Sequence, residues 1–457
     1  QYRPWENDFE IAYVGKVGVG NTIFQGGQRY EIKNFFLQQH KLEIKNDNFF
    51  VRGYVTDEDA GDSNNMGLSA INVNRAWKDD LTWFGQYAGA YIQSTLAGAD
   101  SDQAHAIARQ TAETGRLIPG TPEFQTALER VKADPNVNTG SKLQDETQLY
   151  HADANYNFSH ITSDFADIQL GGSYRTYRLN SSGTIFTDLD GPITYSEVGV
   201  YSQIQKKLAD DRLKVTGSIR FDKSELFEGQ FTPRISLGYT AGADRNHNFR
   251  VSYQSAFRNP TTQDLFIGLD IGRAILVGSA PENLDRDVRD FPLSGNGQQA
   301  TGSSTATIAG RAAYENSFTV SSVLAGAPEK ANINLVKPEE ANVYEVGYRG
   351  KIFNFIIDAN AYYSQYTNFI SNENVIVPLY GTVGDNSLSL LALQNGDVEV
   401  YQTYTNSDAD VNAFGGSIGV STKIMKKINL GVNYTYAKQD FDQAANPDFR
   451  TNFNTPQ

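Results

Sequence analysis

Few side chains in this 457-residue chain have the type and spacing that catalysis or metal binding requires. The five histidines, which are His40, His105, His151, His160 and His247, are not paired at metal-ligand spacing. The run 57–62 begins like a calcium-binding loop, but Leu68 occupies the position where such a loop carries a bidentate acid. There is no cysteine, and no glycine-rich stretch opens a helix after a strand. We therefore expect no enzymatic activity, no cofactor and no metal site.

The charge balance excludes another class of partner. The chain has 39 basic and 53 acidic residues, a formal net charge of −14 and a sequence pI near 4.9. A protein that binds nucleic acid non-specifically needs a basic face to neutralise the phosphates. We therefore expect no nucleic-acid partner. The content of aromatic residues, 12%, together with 40 glycines, is typical of thin β-walls rather than of packed helices.

Charged side chains recur at alternate positions of segments that have the pattern of β-strands. A strand with one apolar and one polar face alternates with period two. In the segment 248–258, Phe249, Val251 and Tyr253 alternate with Arg250 and Ser252. A dry core would not accept charged side chains on the polar faces, so we expect those faces to line a wet interior. The charged residues selected there are Arg175, Arg220, Arg234, Arg250, Arg349, Glu345 and Asp358.

The alternation predicts about thirteen antiparallel strands. Their predicted spans are 5–14, 30–45, 48–57, 148–158, 165–179, 193–206, 212–222, 232–241, 247–258, 339–350, 353–370, 411–424 and 428–440. The mid-strand apolar faces carry no charged residue, which is typical of a surface in contact with lipid. We expect Ile428, Leu430 and Val432 to face outward in the last of these strands.

Short and long connections between these strands alternate along the chain. The short connections are 45–48, 159–164, 207–211, 242–246, 350–352 and 426–427, and the long ones are 15–29, 58–147, 180–192, 223–231, 259–338 and 371–410. Outer-membrane barrels have short periplasmic turns and long extracellular loops. We therefore predict an all-β fold, a transmembrane antiparallel up-and-down β-barrel. A soluble two-layer sandwich would share the strand alternation but would not explain the pattern of connections.

Two of the long connections have distinct compositions. In the loop 58–147, apolar residues at helical spacing predict a short helix over 101–113. A second short helix opens at Thr121, followed by Pro122 and Glu123, which are a capping residue, a proline at the first helical position and an acid at the positive dipole end. The loop 259–338 is rich in small residues and has little periodicity, so part of it is expected to be mobile. Both are predicted to be long extracellular loops.

Several stretches resemble the barrels of TonB-dependent outer-membrane receptors. They are 231–237 (FTPRISL), 248–261 (NFRVSYQSAFRNPT), 337–340 (KPEE), 344–350 (YEVGYRG) and 362–370 (YYSQYTNFI). Two others, 48–54 (NFFVRGY) and 183–186 (GTIF), are similar to the Bacteroidetes-type members of that family. The order and spacing of these stretches, which cover most of the chain, carry the resemblance.

The resemblance implies a function and a set of partners. Such receptors perform TonB-dependent active import of a scarce nutrient across the outer membrane of a Gram-negative bacterium, and their extracellular loops capture the ligand. The implied partners are TonB with its inner-membrane energising complex, the receptor's own plug domain and outer-membrane lipid, with room for a surface lipoprotein. The seven charged residues named above would then contact the plug.

The chain also departs from the family pattern. Family members have a signal peptide, a short box that binds TonB, a plug and about 22 strands. Residues 1–457 have none of the first three features, about 13 strands, and no aromatic strand at 454–457. We expect a partial barrel, an internal segment of a longer receptor that strands from elsewhere must close. Another outer-membrane barrel, such as a lipopolysaccharide or secretion pore, and a soluble β-rich adhesin remain as alternatives.

Overall fold

A computed structural model describes residues 1–5, 8–25, 28–162, 165–385, 387–424 and 427–442. The predicted terminal feature at 454–457 lies outside these residues. The strands are β1 (Glu10–Gln25), β2 (Arg29–Lys45), β3 (Phe49–Asp59), β4 (Asn64–Asn65), β5 (Gln148–Asn157), β6 (Asp167–Leu179), β7 (Ile193–Leu208), β8 (Leu213–Ser224), β9 (Gln230–Ala241), β10 (His247–Arg258), β11 (Gly268–Asp270), β12 (Ile275–Val277), β13 (Val288–Pro292), β14 (Thr305–Ala309), β15 (Phe318–Thr319), β16 (Glu339–Ile352), β17 (Phe355–Thr367), β18 (Phe369–Pro378), β19 (Val398–Ser407), β20 (Val411–Ile424) and β21 (Ile428–Asp440).

The helices occur in the connections between strands. They are α1 (Met66–Trp77), α2 (Asp80–Leu96), α3 (Ser101–Ala112), α4 (Pro122–Ala133), α5 (Ser159–Thr162), α6 (Thr262–Phe266), α7 (Pro281–Arg286), α8 (Gly295–Thr301), α9 (Ala312–Glu315), α10 (Val320–Leu324) and α11 (Leu388–Asn395). None of the helices in the described ranges is long and apolar enough to cross a membrane.

One antiparallel sheet forms the wall of the molecule. Its strands follow the order β1-β2-β3-β5-β6-β7-β8-β9-β10-β16-β17-β20-β21, and the two-residue β4 adds a side pairing with β2. This path has the thirteen strands that the alternation predicted. The thirteen strands pair in the order in which they occur along the chain, and the strands that the path omits belong to the connections. Within the described residues β1 does not pair with β21, so the barrel is partial and not closed.

The two faces of this sheet differ as the alternation predicted. In β10, Phe249 and Val251 belong to the exposed apolar face, and Arg250 belongs to the polar face. The register places Val251 between Leu237 of β9 and Val346 of β16, both of which are also exposed. Apolar side chains of successive strands therefore form a continuous exposed band. Leaving such a band in water would be unfavourable, because removing apolar surface from water lowers the free energy.

The prediction for the first hairpin was wrong. The segment 15–29 was expected to be a long loop, but β1 continues to Gln25 and pairs with β2 along its whole length, with a shift in register after Gly20. The glycines at 15, 18 and 20 lie inside this strand, opposite His40, Leu37 and Phe35, and not in a turn. A glycine weakens a strand but does not break it, and here a 17-residue partner supplies the ladder. The first connection is therefore short, and the alternation of connections is not strict.

The loop between β3 and β5 contains four helices where two were predicted. α3 and α4 begin close to the predicted positions, and the Thr121 hydroxyl accepts the Phe124 amide at 3.3 Å with Pro122 in the first turn. α1 and α2 were missed. Val131 of α4 is buried against Val73 of α1, which gives this loop a small core of its own.

The other two long connections fold together into one unit, which we call the lobe (residues 259–338 and 369–407). Its main sheet has the order β11-β12-β19-β18-β15, so strands from 371–410, which was predicted to be a loop, complete the sheet begun in 259–338. β12 and β19 are parallel. Val277, Val375 and Tyr401 are fully buried in its core. Short helices also occur here, beyond the one loop in which they were predicted.

Candidate functional site

The seven charged residues selected from the sequence lie at different levels on the polar face of the wall. We call the end of a strand that joins the long connections its loop end, and the other end its turn end. Arg175, Arg220 and Arg234 each lie four residues from the loop end of their strand. Together with Glu197 and Asp222 they form the upper belt. Arg250, Arg349 and Asp358 each lie three residues from the turn end and form the lower belt. Glu345 lies between the two belts.

In the lower belt, two cations share one carboxylate. A guanidinium nitrogen of Arg250 lies 3.6 Å from one oxygen of Asp358, and one of Arg349 lies 3.5 Å from the other oxygen. Gly347 allows this approach, because a Cβ at that position would meet the Arg250 side chain. The three groups are partly exposed, and the belt carries one positive charge in excess.

In the upper belt, the carboxylates largely balance the cations. Arg175 lies 3.5 Å from Glu197, and Arg220 lies 2.6 Å from Asp222. Arg220 also donates to the Ser173 hydroxyl two strands away at 3.1 Å, and it passes over Gly199, where a Cβ would meet Arg220 and Asp222. Arg234 has no ion pair within the described part of the chain. The same holds for Glu345, so the structure brings five of the seven residues into pairs.

The lobe is attached at the loop ends, across the polar face. The Asn259 amide donates to Glu197 at 2.7 Å, and β10, which precedes Asn259, is three strands away from β7 in the sheet. This bond bridges the polar face, as a concave wall allows. The ring of Phe266 lies 5.6 Å from that of Tyr195 in the apolar contact between the lobe and β7.

The chain crosses between wall and lobe four times, and hydrogen bonds hold these crossings together. The buried carboxylate of Glu339 accepts from Arg258 at 2.9 Å and from the Ile370 amide at 3.1 Å. The Asn406 side chain accepts from the Lys337 amide at 2.7 Å and donates to the Asn368 carbonyl at 2.6 Å. Hydrogen bonds therefore join all four crossings to one another at the base of the lobe.

A cavity of about 460 Å³ lies where the lobe meets the upper belt. It is lined by Arg175, Glu197 and Tyr177 of the wall and by Asn259 and Thr262 at the start of the lobe. A molecule in this cavity would touch both parts. Its lining offers hydrogen-bond donors and acceptors beside aromatic rings, which suits the binding of a polar molecule.

Burial perturbs two carboxyl groups that lie outside the wall. Burial in the lobe raises the pKa of the Asp287 carboxyl, although Arg289 donates to it at 2.9 Å. Burial likewise raises the pKa of Asp145, which lies beside the first residues of β5. Neither group has a metal-binding neighbourhood, since no cluster of three metal-ligating side chains occurs among residues that the structure describes. In the run 57–62, the Asp57 carboxylate accepts hydrogen bonds from the side chains of Gln38 and Gln148, each at 2.9 Å.

The family comparison covers nearly the whole chain. A family model described as TonB dependent receptor-like, beta-barrel, matches residues 5–456. The chain belongs to this family. TonB-dependent receptor barrels are outer-membrane proteins of Gram-negative bacteria, and they work with TonB and a plug domain. A comparison with curated protein sequences finds no match.

Solved structures share the fold of this receptor-like barrel. The siderophore receptor PirA of Pseudomonas aeruginosa superposes with a TM-score of 0.50 at 11% identity, over 97% of this chain and 55% of PirA. The ferric enterobactin receptor PfeA of the same organism gives a TM-score of 0.50 at 11% identity, over 94% of this chain and 49% of PfeA. The chain therefore spans about half the length of these receptors, and at this identity the similarity concerns the fold alone.

Sequence reasoning missed the residues that attach the lobe to this receptor barrel. Glu339 lies in the family-like stretch 337–340, but neither its residue type nor that of Asn406 indicates a role in attaching the lobe. Their position follows from the four chain crossings, which only the tertiary structure brings together. Arg258 and Asn259 differ in one respect, because the predicted strand 247–258 and the predicted connection 259–338 meet at these two residues.

Proposed function

We propose that the receptor containing this chain performs TonB-dependent active import of a nutrient across the outer membrane, and that the loops at the loop ends capture the nutrient. The observation that carries this proposal is the lobe, a folded unit fixed over the polar face of a receptor-family barrel. Long loops that fold are usually functional. The family match argues against a lipopolysaccharide pore, a secretion pore and a soluble adhesin.

The proposal includes the placement of the barrel in its membrane. The exposed apolar band, which contains Val251 and Val346, faces outer-membrane lipid, and the long connections 58–147 and 259–338 are extracellular. The receptor is a transporter without enzymatic activity. The Bacteroidetes-type stretches support a member of that lineage, in which a surface lipoprotein is a further candidate partner.

The plug domain is proposed to contact the two belts. The lower belt has one uncompensated cation, and Arg234 of the upper belt has no ion pair within the described residues. A plug surface that carries carboxylates at these levels would pair with them. The wall would then hold the plug by polar contacts that can break, which an import cycle driven by TonB requires.

A growth assay tests import by screening candidate nutrients in turn. Strains that lack the receptor, or that lack TonB, are grown with one nutrient limiting at a time. Iron supplied as ferric enterobactin is the first nutrient to test, because the two receptors of the same fold are named for siderophores. We expect growth on one such nutrient to require both proteins. Growth that requires the receptor but not TonB would contradict the proposal.

Capture by the loops needs a variant that leaves the wall intact. The segment 79–113, which contains α2 and α3, can be replaced by a short Gly-Ser linker, because the Lys78 ammonium binds the Ala112 carbonyl and the two ends are therefore close. α4 must stay, because Val131 is buried against α1. We expect normal barrel assembly and a loss of uptake. Unchanged uptake at normal surface level would remove this hairpin from the capture surface.

A further inference from the structure

The helices between β3 and β5 are fixed to the end of the first hairpin. We call residues 60–147 the helical unit, and residues 21–25 and 28–34, which rise above β3, the upper hairpin. The Glu31 carboxylate of β2 accepts from the Asn64 side chain at 2.7 Å and from the Lys132 ammonium of α4 at 2.5 Å. The Lys33 amide donates to the Ser63 hydroxyl at 3.1 Å, and β4 pairs with β2. The helical unit and the upper hairpin therefore form one body.

The lobe is fixed to another part of the wall through the connection 180–192. The Gly268 amide of the lobe donates to the Ile185 carbonyl at 3.0 Å, and the Thr187 amide donates to the Phe266 carbonyl at 3.1 Å. Phe186 and Phe266 are buried in one apolar core together with residues of β6 and β7. Moving the lobe off this connection would expose that core to water, which is unfavourable. The lobe and the connection 180–192 therefore form a second body.

Hydrogen bonds join the two bodies in two places within the described ranges. At the base of the helical unit, the Thr184 hydroxyl accepts from the Gln144 amide at 3.0 Å, and the neighbouring residues 146–147 bond to residue 180. At the second place, the Gln28 side chain of the upper hairpin donates to the Ile271 carbonyl of the lobe and accepts from the Asn65 side chain. No apolar cluster of the described residues includes side chains from both bodies. The boundary between the bodies is therefore polar.

The first hairpin has a hinge below its upper part. β3 pairs with β2 only over residues 36–45. Just above this point the register between β1 and β2 shifts between Gly20 and Thr22, and Asn34 has a φ of 54°. A bulge of this kind interrupts the ladder and bends the strand. The upper hairpin and the helical unit can therefore tilt together relative to the wall.

The contact made by Gln28 joins parts of the molecule that rise from distant strands. The lobe is inserted between β10 and β16 and between β17 and β20, and β2 lies eight strands away from β16 in the sheet. In a barrel of about 22 strands, eight strands are more than a third of the circumference. A contact between these two bodies closes a path to the polar face, and its release opens that path.

We propose that Gln28 is the latch of an extracellular gate. The lobe is the fixed side of this gate, and the upper hairpin with the helical unit is the side that tilts. A glutamine side chain donates and accepts at once, so Gln28 can hold the Asn65 side chain and the Ile271 carbonyl together. Water can replace either partner when this bond breaks, so the net free energy is small and the latch is reversible. The purpose of the gate rests on the proposed import, whereas its two sides and its latch rest on the structure.

Distances between spin labels test the latch without any nutrient. The full receptor carries Glu129→Cys on α4 and Leu324→Cys on α10, two exposed positions in a chain that has no cysteine. We expect Gln28→Ala to shift the distances between the labels to longer values and to broaden their distribution, because α4 belongs to the side that tilts. Thr22→Ala, at an exposed position of the upper hairpin, is the matched control and should leave the distribution unchanged. The same distribution in Gln28→Ala and in the wild type would overturn the latch.

A cross-link across the latch tests the gate. In the full receptor, Gln28→Cys and Arg273→Cys, which is two residues beyond Ile271, are joined by a short bis-methanethiosulfonate reagent whose disulfides a reductant cleaves. The control pair is Thr187→Cys with Gly268→Cys, which joins two parts of the fixed side. A Cβ at Gly268 would lie 3.7 Å from that of Thr187, which is the spacing of a disulfide. Uptake of radiolabelled iron, supplied as ferric enterobactin, is measured in cells before and after reduction.

The two cross-links should have different effects. We expect the cross-link at Gln28 to abolish uptake and reduction to restore it, whereas the control disulfide should leave uptake unchanged. Uptake that continues while the latch is cross-linked would overturn the gate. A receptor that takes up no iron even without a cross-link would count against ferric enterobactin as the nutrient, and the spin-label distances would still decide the latch.

Discussion

The exposed apolar band makes a quantitative prediction at Val251. Val251→Arg places a charge between Leu237 and Val346, with apolar side chains on both neighbouring strands. The residue lies four positions from the turn end of β10, about 13 Å along the strand. Arginine on the lipid face costs about 2–4 kcal/mol at the bilayer midplane and less near an interface, so we expect about 2–3 kcal/mol here. This corresponds to a decrease of roughly 30- to 150-fold in the folding equilibrium constant.

The neighbouring residue supplies a matched control. Ser252 lies on the polar face, directly opposite Glu345, so Ser252→Arg brings a guanidinium close to a carboxylate that has no ion pair among the described residues. We expect a change within about 0.5 kcal/mol for this variant. Both variants of the receptor are folded into lipid vesicles at increasing urea, and the folded fraction is read from gel mobility without heating. Equal stability of the two variants, or a greater loss for Ser252→Arg, would refute the assignment of the faces.

Three further predictions concern the lobe. Gly278→Ala should destabilise the lobe by about 1–3 kcal/mol, because the new Cβ would meet the backbone of α6. Gly295 has open space around it, so Gly295→Ala should change stability by less than about 0.5 kcal/mol. Calorimetry of the purified receptor measures both changes. Glu339→Ala removes the acceptor for the Arg258 guanidinium and the Ile370 amide, so we expect the contact between lobe and wall to lose about 1–3 kcal/mol of stability. Proteases should then cleave the chain faster where it crosses between wall and lobe. Cleavage at the wild-type rate would contradict the role of this carboxylate. Burial raises the pKa of Asp287, so folding favours the neutral form of this carboxyl. The lobe therefore loses stability as pH rises from the ordinary aspartate pKa of about 3.9 to the raised value. Asp287→Asn should lack this loss, so its thermal midpoint should rise relative to that of the wild type between pH 4 and 7, and a constant difference across that range would refute the direction of the pKa shift.

The sequence alone determined the wall of this protein. Period-two alternation depends only on neighbouring residues, and it gave β10, β20 and β21 with their exact ends. It also assigned the faces, because a lipid-exposed side and a wet side select opposite side chains at successive positions. The seven charged residues of the polar face followed from the same rule. The family resemblance was confirmed over residues 5–456.

Local patterns were insufficient where a partner strand or helix supplies the stability. β1 contains three glycines that indicate a turn by themselves, and its pairing with β2 overrides them. α2 was missed because its exposed face is apolar and its packed face is aromatic, so it lacks the alternation of apolar and charged residues by which a surface helix is recognised.

Only the tertiary structure decided what the long connections build. The lobe's sheet joins β12 to β19, which are more than a hundred residues apart in the chain, and a parallel pairing of that kind has no local signal. Glu339 and Asn406 act because four chain crossings meet beside them, and the Arg250–Asp358 pair forms because the register places their strands on either side of Gly347. Alternation fixes which way a side chain faces, but the distance between side chains on different strands depends on register and on long-range folding.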